Sequence, residues 1–284
     1  MKRFYQLILT IVVVFTVVIG TSHLAFAQGK VNIANGPLKE ADWFKHPGEW
    51  FKDPGEGALN ESHADNKNWI TKWYGPDGNY ENNEGFQTSS RIDLIEEGTK
   101  GKLTQLSLST RVGLKKTQTV KMAWDRDHGG TRDWTVFELD PANQDNMNRE
   151  GPTDNIDTYA ICVVVAPKDM KAVMSPAHDD HAQIWINGDK WYNNPTWTGG
   201  AQVVNYNVEV KLEKGANVVL YRCGETGGAA YLNLHFDDNT HKVCKIYPDK
   251  SEDQKGFFRE IAGGLPVDPT GKATTTWADI KRNR

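Results

Sequence analysis

The sequence predicts an all-β protein, a jelly-roll-like β-sandwich with irregular N- and C-terminal extensions. Three observations carry that prediction. From Trp69 to Phe236 the chain is a series of short apolar stretches separated by Gly, Asn, Asp and Pro, the spacing of a sandwich rather than of βαβ units. No stretch of comparable strength repeats with the 3.6-residue period of an amphipathic helix. Turn-forming residues also fall where strands must reverse.

Taken in order, residues 103–109 alternate apolar and polar side chains, and so do residues 135–139. Residues 158–165 form a continuous run rich in β-branched residues, expected of a strand buried on both faces. Residues 183–186 follow, then the alternating 203–212, then 217–223 and 230–236. Asn187-Gly188 lies between Ile186 and Lys190-Trp191-Tyr192 and predicts a hairpin, because a type I′ turn needs positive φ at both central residues. Lys214-Gly215 predicts a second hairpin between Leu212 and Asn217.

Composition excludes some function classes. The 284 residues carry 33 Lys and Arg against 37 Asp and Glu, a net charge of -4. Nothing here supplies the cationic field that a general nucleic-acid binder needs. Ten Trp, nine Tyr and ten Phe exclude wholesale disorder.

Lys2 and Arg3, an apolar run from Leu7 to Ile19 and the closing Ala25-Phe26-Ala27 read as a secretory signal over residues 1–27. The thirteen residues of this run span only about 20 Å as a helix, short of a bilayer core of roughly 30 Å. The expected setting is therefore periplasmic, cell-surface or extracellular, with no transmembrane segment after cleavage. Residues 28–64 read as an irregular segment, 65–240 as the sandwich and 241–284 as a flexible extension. The first of these holds a tandem heptad, Trp43-Phe44-Lys45-His46-Pro47-Gly48-Glu49 and Trp50-Phe51-Lys52-Asp53-Pro54-Gly55-Glu56. Its rings are expected to fold back on the domain, with an exposed stacking platform as the alternative. Of the three cysteines, Cys162 sits in an apolar run and reads as a small core hydrophobe. That leaves Cys223 with Cys244 as the expected disulfide, and three free buried thiols as the alternative.

The segment Ser175-Pro176-Ala177-His178-Asp179-Asp180-His181-Ala182-Gln183-Ile184-Trp185-Ile186-Asn187-Gly188, followed by Val210-Lys211-Leu212-Glu213-Lys214-Gly215-Ala216-Asn217, resembles secreted bacterial β-sandwich modules of the galactose-binding-like, carbohydrate-binding-module-like group. The resemblance spans roughly residues 65–240 and implies a fold more firmly than a ligand. Relatives of that kind occur as accessory modules of polysaccharide-degrading enzymes and in surface proteins. The residues fit scaffold roles on their own chemistry. Asp179 and Asp180 accept backbone hydrogen bonds in a turn, Trp185 buries its ring between sheets, and Asn187, Gly188, Gly215 and Asn217 build turns.

No hydrolase elbow, zinc-protease helix, phosphate loop or dinucleotide fingerprint is present in the sequence. Among metal candidates, His178-Asp179-Asp180-His181 is the densest cluster. Consecutive strand residues face opposite sides, so a hydrogen-bonded turn is the expected role. Asp125, Asp127 and Asp133 stand at positions 1, 3 and 9 of a calcium-type loop, with Gly130 at position 6, but Val136 replaces the acid at position 12. Calcium is thus a candidate cofactor there. Sugar rings stack on indole and phenol faces while amides bind hydroxyls. Trp191, Tyr192, Asn193, Asn194 and Trp197 are accordingly the expected ligand patch. The expected function is non-catalytic binding of a polysaccharide or glycan. The alternatives are a structural or adhesive surface protein that binds protein partners and a glycan-cleaving enzyme.

Overall fold

The computed structural model describes residues 31–33, 36–50, 59–62, 68–82, 85–195, 203–204 and 206–262. The export segment, all but the first residue of the second heptad, and Trp197 lie outside the described residues. Numbered along the chain, the strands are β1 (Val31–Ile33), β2 (Leu59–Ser62), β3 (Lys72–Pro76), β4 (Tyr80–Glu81), β5 (Met122–Ala123), β6 (Thr131–Arg132), β7 (Trp134–Glu138) and β8 (Ile156–Ala166). They continue as β9 (Met170–Asp179), β10 (His181–Ile186), β11 (Asp189–Asn194), β12 (Val203–Val204), β13 (Asn207–Leu212), β14 (Gly215–Gly224), β15 (Tyr231–Phe236) and β16 (Lys245–Tyr247).

One sheet runs β1-β13-β9-β12-β2, with β15 also paired to β9. The other runs β11-β10-β14-β8-β3-β7, with β4 and β16 added to β8. Pairing is antiparallel except between β1 and β13. The protein is an all-β sandwich. Its inner core joins Met174, Val208, Val210, Leu212, Leu232 and Leu234 of the first sheet to Val164, Ile184, Ile186, Val219 and Tyr221 of the second. Val208, Val210 and Leu212 alternate, as a strand with one buried face must. β8 instead buries both faces: Ala160, Cys162 and Val164 point into the sandwich, while Tyr159, Ile161 and Val163 join a second core outside it. That explains why residues 158–165 read as an unbroken run.

Short helices cover the outer face of the second sheet: α1 (Pro47–Trp50), α2 (Phe86–Ser89), α3 (Leu94–Gly98), α4 (Gln105–Leu108) and α5 (Arg111–Lys116); later in the chain α6 (Asp238–Val243) packs beside β9 of the first sheet and α7 (Gln254–Ala262) beside β7 and β16 of the second. The expected strand at 103–109 is corrected here to α4. Thr104 accepts from the Ser107 amide and Ser107 Oγ accepts from the Thr104 amide, a reciprocal cap that starts a helix. Leu103 and Leu108 then go to the core while Leu106 faces solvent.

Further expectations change with the topology. Lys214-Gly215 does not make a hairpin: β13 pairs with β9 in one sheet and β14 with β8 and β10 in the other, so this turn carries the chain between layers. Trp185 packs in the outer core under the helices and not between the sheets. The chain beyond 240 is built into the body as far as 262. β16 adds to β8, and Phe257 stacks on Tyr74 with centroids 4.5 Å apart. The hairpin at Asn187-Gly188 stands as expected, with φ of 55° and 92°.

Candidate functional site

The pairing of β10 with β14 sets His181 opposite Gly224, and the Asp180 amide donates to the Gly224 carbonyl at 3.1 Å. Asp180, just before β10, is thereby brought beside Glu225, just after β14. Asp179, the last residue of β9, completes a trio in which one carboxylate oxygen from each residue lies within 4.8 Å of the others. The Asp179–Asp180 peptide is cis. All three residues are buried, at 6%, 2% and 1% exposure.

Glu225 Oε1 accepts from the amides of Thr226 at 2.8 Å and Gly227 at 2.5 Å, while among the described residues Oε2 has no donor. Burial pushes the Glu225 carboxyl up to about 7. Negative charge on Asp180 pushes the same way, and the Gly227 and Thr226 amides oppose it. Concentrated negative charge out of water needs a proton or a cation to offset it.

The trio is braced from inside the sandwich. His178 Nδ1 lies 2.6 Å from the Asp180 carbonyl, which only accepts, so this nitrogen carries the proton. Nε2 then accepts from the Tyr192 hydroxyl at 3.0 Å, and Tyr192 Oη accepts from Asn194 Nδ2 at 3.2 Å. Burial lowers His178 to about 4, which keeps the ring neutral and fixes these roles. His181 points to the opposite face, stacked on Phe86. Its burial, with Arg222 and Lys190 nearby, holds it well below the usual histidine value. Thus the four-residue run splits as strand alternation requires, and neither histidine joins the carboxylates.

The expected aromatic patch is corrected. Trp191, Tyr192, Asn193 and Asn194 form β11 and are 5%, 0%, 0% and 1% exposed, so they do not make a solvent-facing platform. Their pattern of amphipathic rings and amides serves the interior. Tyr192 and Asn194 brace the Asp180 turn, and Asn193 donates to the Lys45 carbonyl at 2.8 Å. Trp191 does border a cavity of about 640 Å³ with Met170, Ile186 and Leu212, at the end of the sandwich carrying the Asn187-Gly188 turn.

The calcium-type loop is corrected as well. Asp133 pairs with Lys121 at 2.6 Å, and Asp125 faces His128 with its side chain 91% exposed. A 3-10 turn over Arg126–His128 interrupts the loop, and Asp125, Asp127 and Asp133 do not converge. The expected disulfide is also overturned, since Cys162, Cys223 and Cys244 are all free and buried. Cys223 Sγ approaches the Asp179 and Tyr231 carbonyls, whereas Cys244 Sγ lies 3.7 Å from Met170 Sδ.

Scaffold expectations fare better. Asn187 Oδ1 accepts from the Val218 amide and its Nδ2 donates to Asn217 Oδ1. Asn217 Nδ2 in turn binds the Val164, Glu213 and Gly215 carbonyls, locking the turn in which Gly215 has a φ of 92°. Sequence reading missed Glu225. Its one local signal is an acid directly before Thr226-Gly227-Gly228, and only the strand register shows that it meets Asp180.

Oxygen-only donors in a buried anionic pocket fit a hard divalent cation such as calcium, and the undonated Glu225 Oε2 is the oxygen such an ion would take up. No protein-family profile and no curated protein matches the chain. Among solved structures, the GH31 alpha-xylosidase from Xanthomonas citri is 10% identical over 32% of this chain and 10% of that one, with a TM-score of 0.24. The chain thus spans a tenth of that enzyme, and the likeness carries no argument about fold or activity. Among the described residues, no helix is long and apolar enough to cross a membrane.

Proposed function

We propose that this is an exported, non-catalytic β-sandwich that binds carbohydrate with the help of a divalent cation, calcium in the first instance. The observation that carries the reading is the convergence of Asp179, Asp180 and Glu225 at the loop end of the sandwich. The three carboxylates would hold the ion, which when bound supplies Lewis-acid contacts suited to hydroxyl oxygens. The protein's own part is to fix the backbone turn that carries Asp180, which it does through His178, Tyr192 and Asn194. Asn194 pairs with Ala182, two residues from Asp180, so the end of β11 lies beside this site. The signal-like residues 1–27 support placement outside the cytoplasm, where calcium is abundant.

Calorimetry with calcium, then polysaccharide retention with and without chelator, tests the reading. Uptake of calcium, and retention lost on chelation and in Glu225→Gln, are expected. Uptake without retention of any polysaccharide removes the carbohydrate part, and no uptake removes the site.

A further inference from the structure

On the outer face of the second sheet Lys190 is 3% exposed. Its Nζ makes one hydrogen bond, to the Trp43 carbonyl at 3.2 Å. Three ring centroids surround it: Trp185 at 4.7 Å, Phe44 at 5.0 Å and Trp43 at 5.3 Å. Among the described residues no carboxylate pairs with it. The acid that acts on it is Asp93, whose two oxygens already accept from the Glu96 and Gln105 amides. Arg222 from β14 and His181 from β10 face the same region, and Arg91 lies over Phe44. Burial pulls the Lys190 amine down to about 7, Arg222 adds to that, and Asp93 opposes it.

Lys190 lines a cavity of about 140 Å³ together with Ser90, Asp93, Gln105 and Gln183. That is room for about four or five water-sized groups. Among the described residues Nζ has one hydrogen-bond acceptor, so two of the three ammonium donors would rest on ring faces alone, and burial favours the neutral amine.

We propose that Lys190 is a carbonyl-reactive amine whose cavity admits a small hydroxyaldehyde of two or three carbons. The amine nitrogen attacks the carbonyl carbon, and the carbonyl oxygen takes up the proton lost by nitrogen. Water then leaves, and a C=N bond remains. No oxidant or reductant is consumed. The ring faces stabilise the protonated imine, which keeps a positive charge where the ammonium had one. They disfavour an anionic adduct such as a carbamate. Gln183 lines the cavity, and its Oε1, which accepts from Arg222 at 3.4 Å, keeps a second lone pair for the hydroxyl group.

The test treats the purified protein with glycolaldehyde and cyanoborohydride, which traps the imine as a secondary amine, and reads each lysine by peptide mass spectrometry. At pH 7 about half of such an amine is neutral, against roughly one in three thousand for an ordinary lysine. Burial slows access, so a rate at least about tenfold above the mean of the other lysines is expected, rising from pH 6 to 8 and then levelling. Urea-unfolded protein should label all lysines alike. Lys190→Arg keeps a cation among the rings and should lose the fast site. Labelling of native Lys190 at or below the mean rate overturns the proposal, and this comparison stands on the wild-type protein even if the variant fails to fold.

Discussion

The Arg222 guanidinium meets the Asp157 carboxylate at 2.8 Å with neither side chain exposed. Arg222 also donates to the Ile92 and Ser89 carbonyls and to Gln105 Oε1, while Asn82 Nδ2 donates to the second Asp157 oxygen. One pair thus ties β8 and β14 to the helices that cover them. Removing one partner leaves a buried charge without its counterpart. Asp157→Ala is expected to cost about 3–5 kcal/mol in urea unfolding. Asp157→Ala combined with Arg222→Met should cost less than Asp157→Ala alone. A fully additive pair of losses would show that the two side chains act separately.

The brace behind the trio gives a second prediction. Tyr192→Phe removes the hydroxyl that donates to His178 Nε2, leaving the ring free to turn away from the Asp180 carbonyl. Groups that orient ligands of a bound ion typically matter by about 10–100-fold in affinity. Calcium affinity should fall within that range while circular dichroism stays that of the parent. An unchanged affinity would show that the Asp180 turn holds itself.

Calcium should also stabilise the fold by mass action. At a hundred times its dissociation constant a ligand specific to the native state adds about 2.7 kcal/mol. Thermal unfolding of the wild type should therefore shift upward with calcium and return with chelator. Asp125→Asn combined with Asp127→Asn should leave the shift intact, because those carboxylates do not converge. Loss of the shift in that variant would move the ion to the other loop.

All three thiols are buried and unpaired, and burial raises Cys162 and Cys223 well above the ordinary thiol value. A disulfide reagent should find no reactive thiol in the native protein and three in denaturant, and reductant should leave the melting temperature unchanged. Fewer than three thiols in the unfolded, unreduced chain would restore the disulfide.

How much of this was legible in the sequence follows from the range of the interactions. β8, β10, β14 and β15 were readable because β-branched runs and alternation are local, and the Asn187-Gly188 turn was readable because positive φ selects its residues. The segment 103–109 was misread because alternation of Leu with Thr, Gln and Ser cannot be told from a one-turn helix capped by the same hydroxyls. The aromatic patch was misread for a different reason. Indoles, phenols and amides line interior networks as readily as ligand grooves, and only burial separates the two. Asp179 and Asp180 were singled out as turn residues, yet their meeting with Glu225 depends on the register of β10 against β14, some forty residues apart in the chain. Arg222 and Asp157, 65 residues apart, were invisible for the same reason.

The buried amine supplies a pH dependence with a definite sign. Lys190 titrates near 7 in the folded protein and at about 10.5 once unfolded. Between those values the unfolded chain holds a proton that the folded chain lacks, so stability rises with pH across that window. Below pH 7 both states are protonated and this group contributes no slope. From pH 7 to 9.5 the gain amounts to about 3 kcal/mol at most. Stopping there avoids the tyrosines, since burial lifts Tyr74 to about 12 and its ionisation would act in the opposite direction. Lys190→Met removes the titrating group and keeps an apolar stem among the rings. The wild type should gain stability over that variant, measured by urea midpoints, as pH rises from 6.5 to 9.5. A difference that stays flat across the series would show that the Lys190 head remains charged inside its aromatic cage, and would remove the neutral amine on which its reactivity depends.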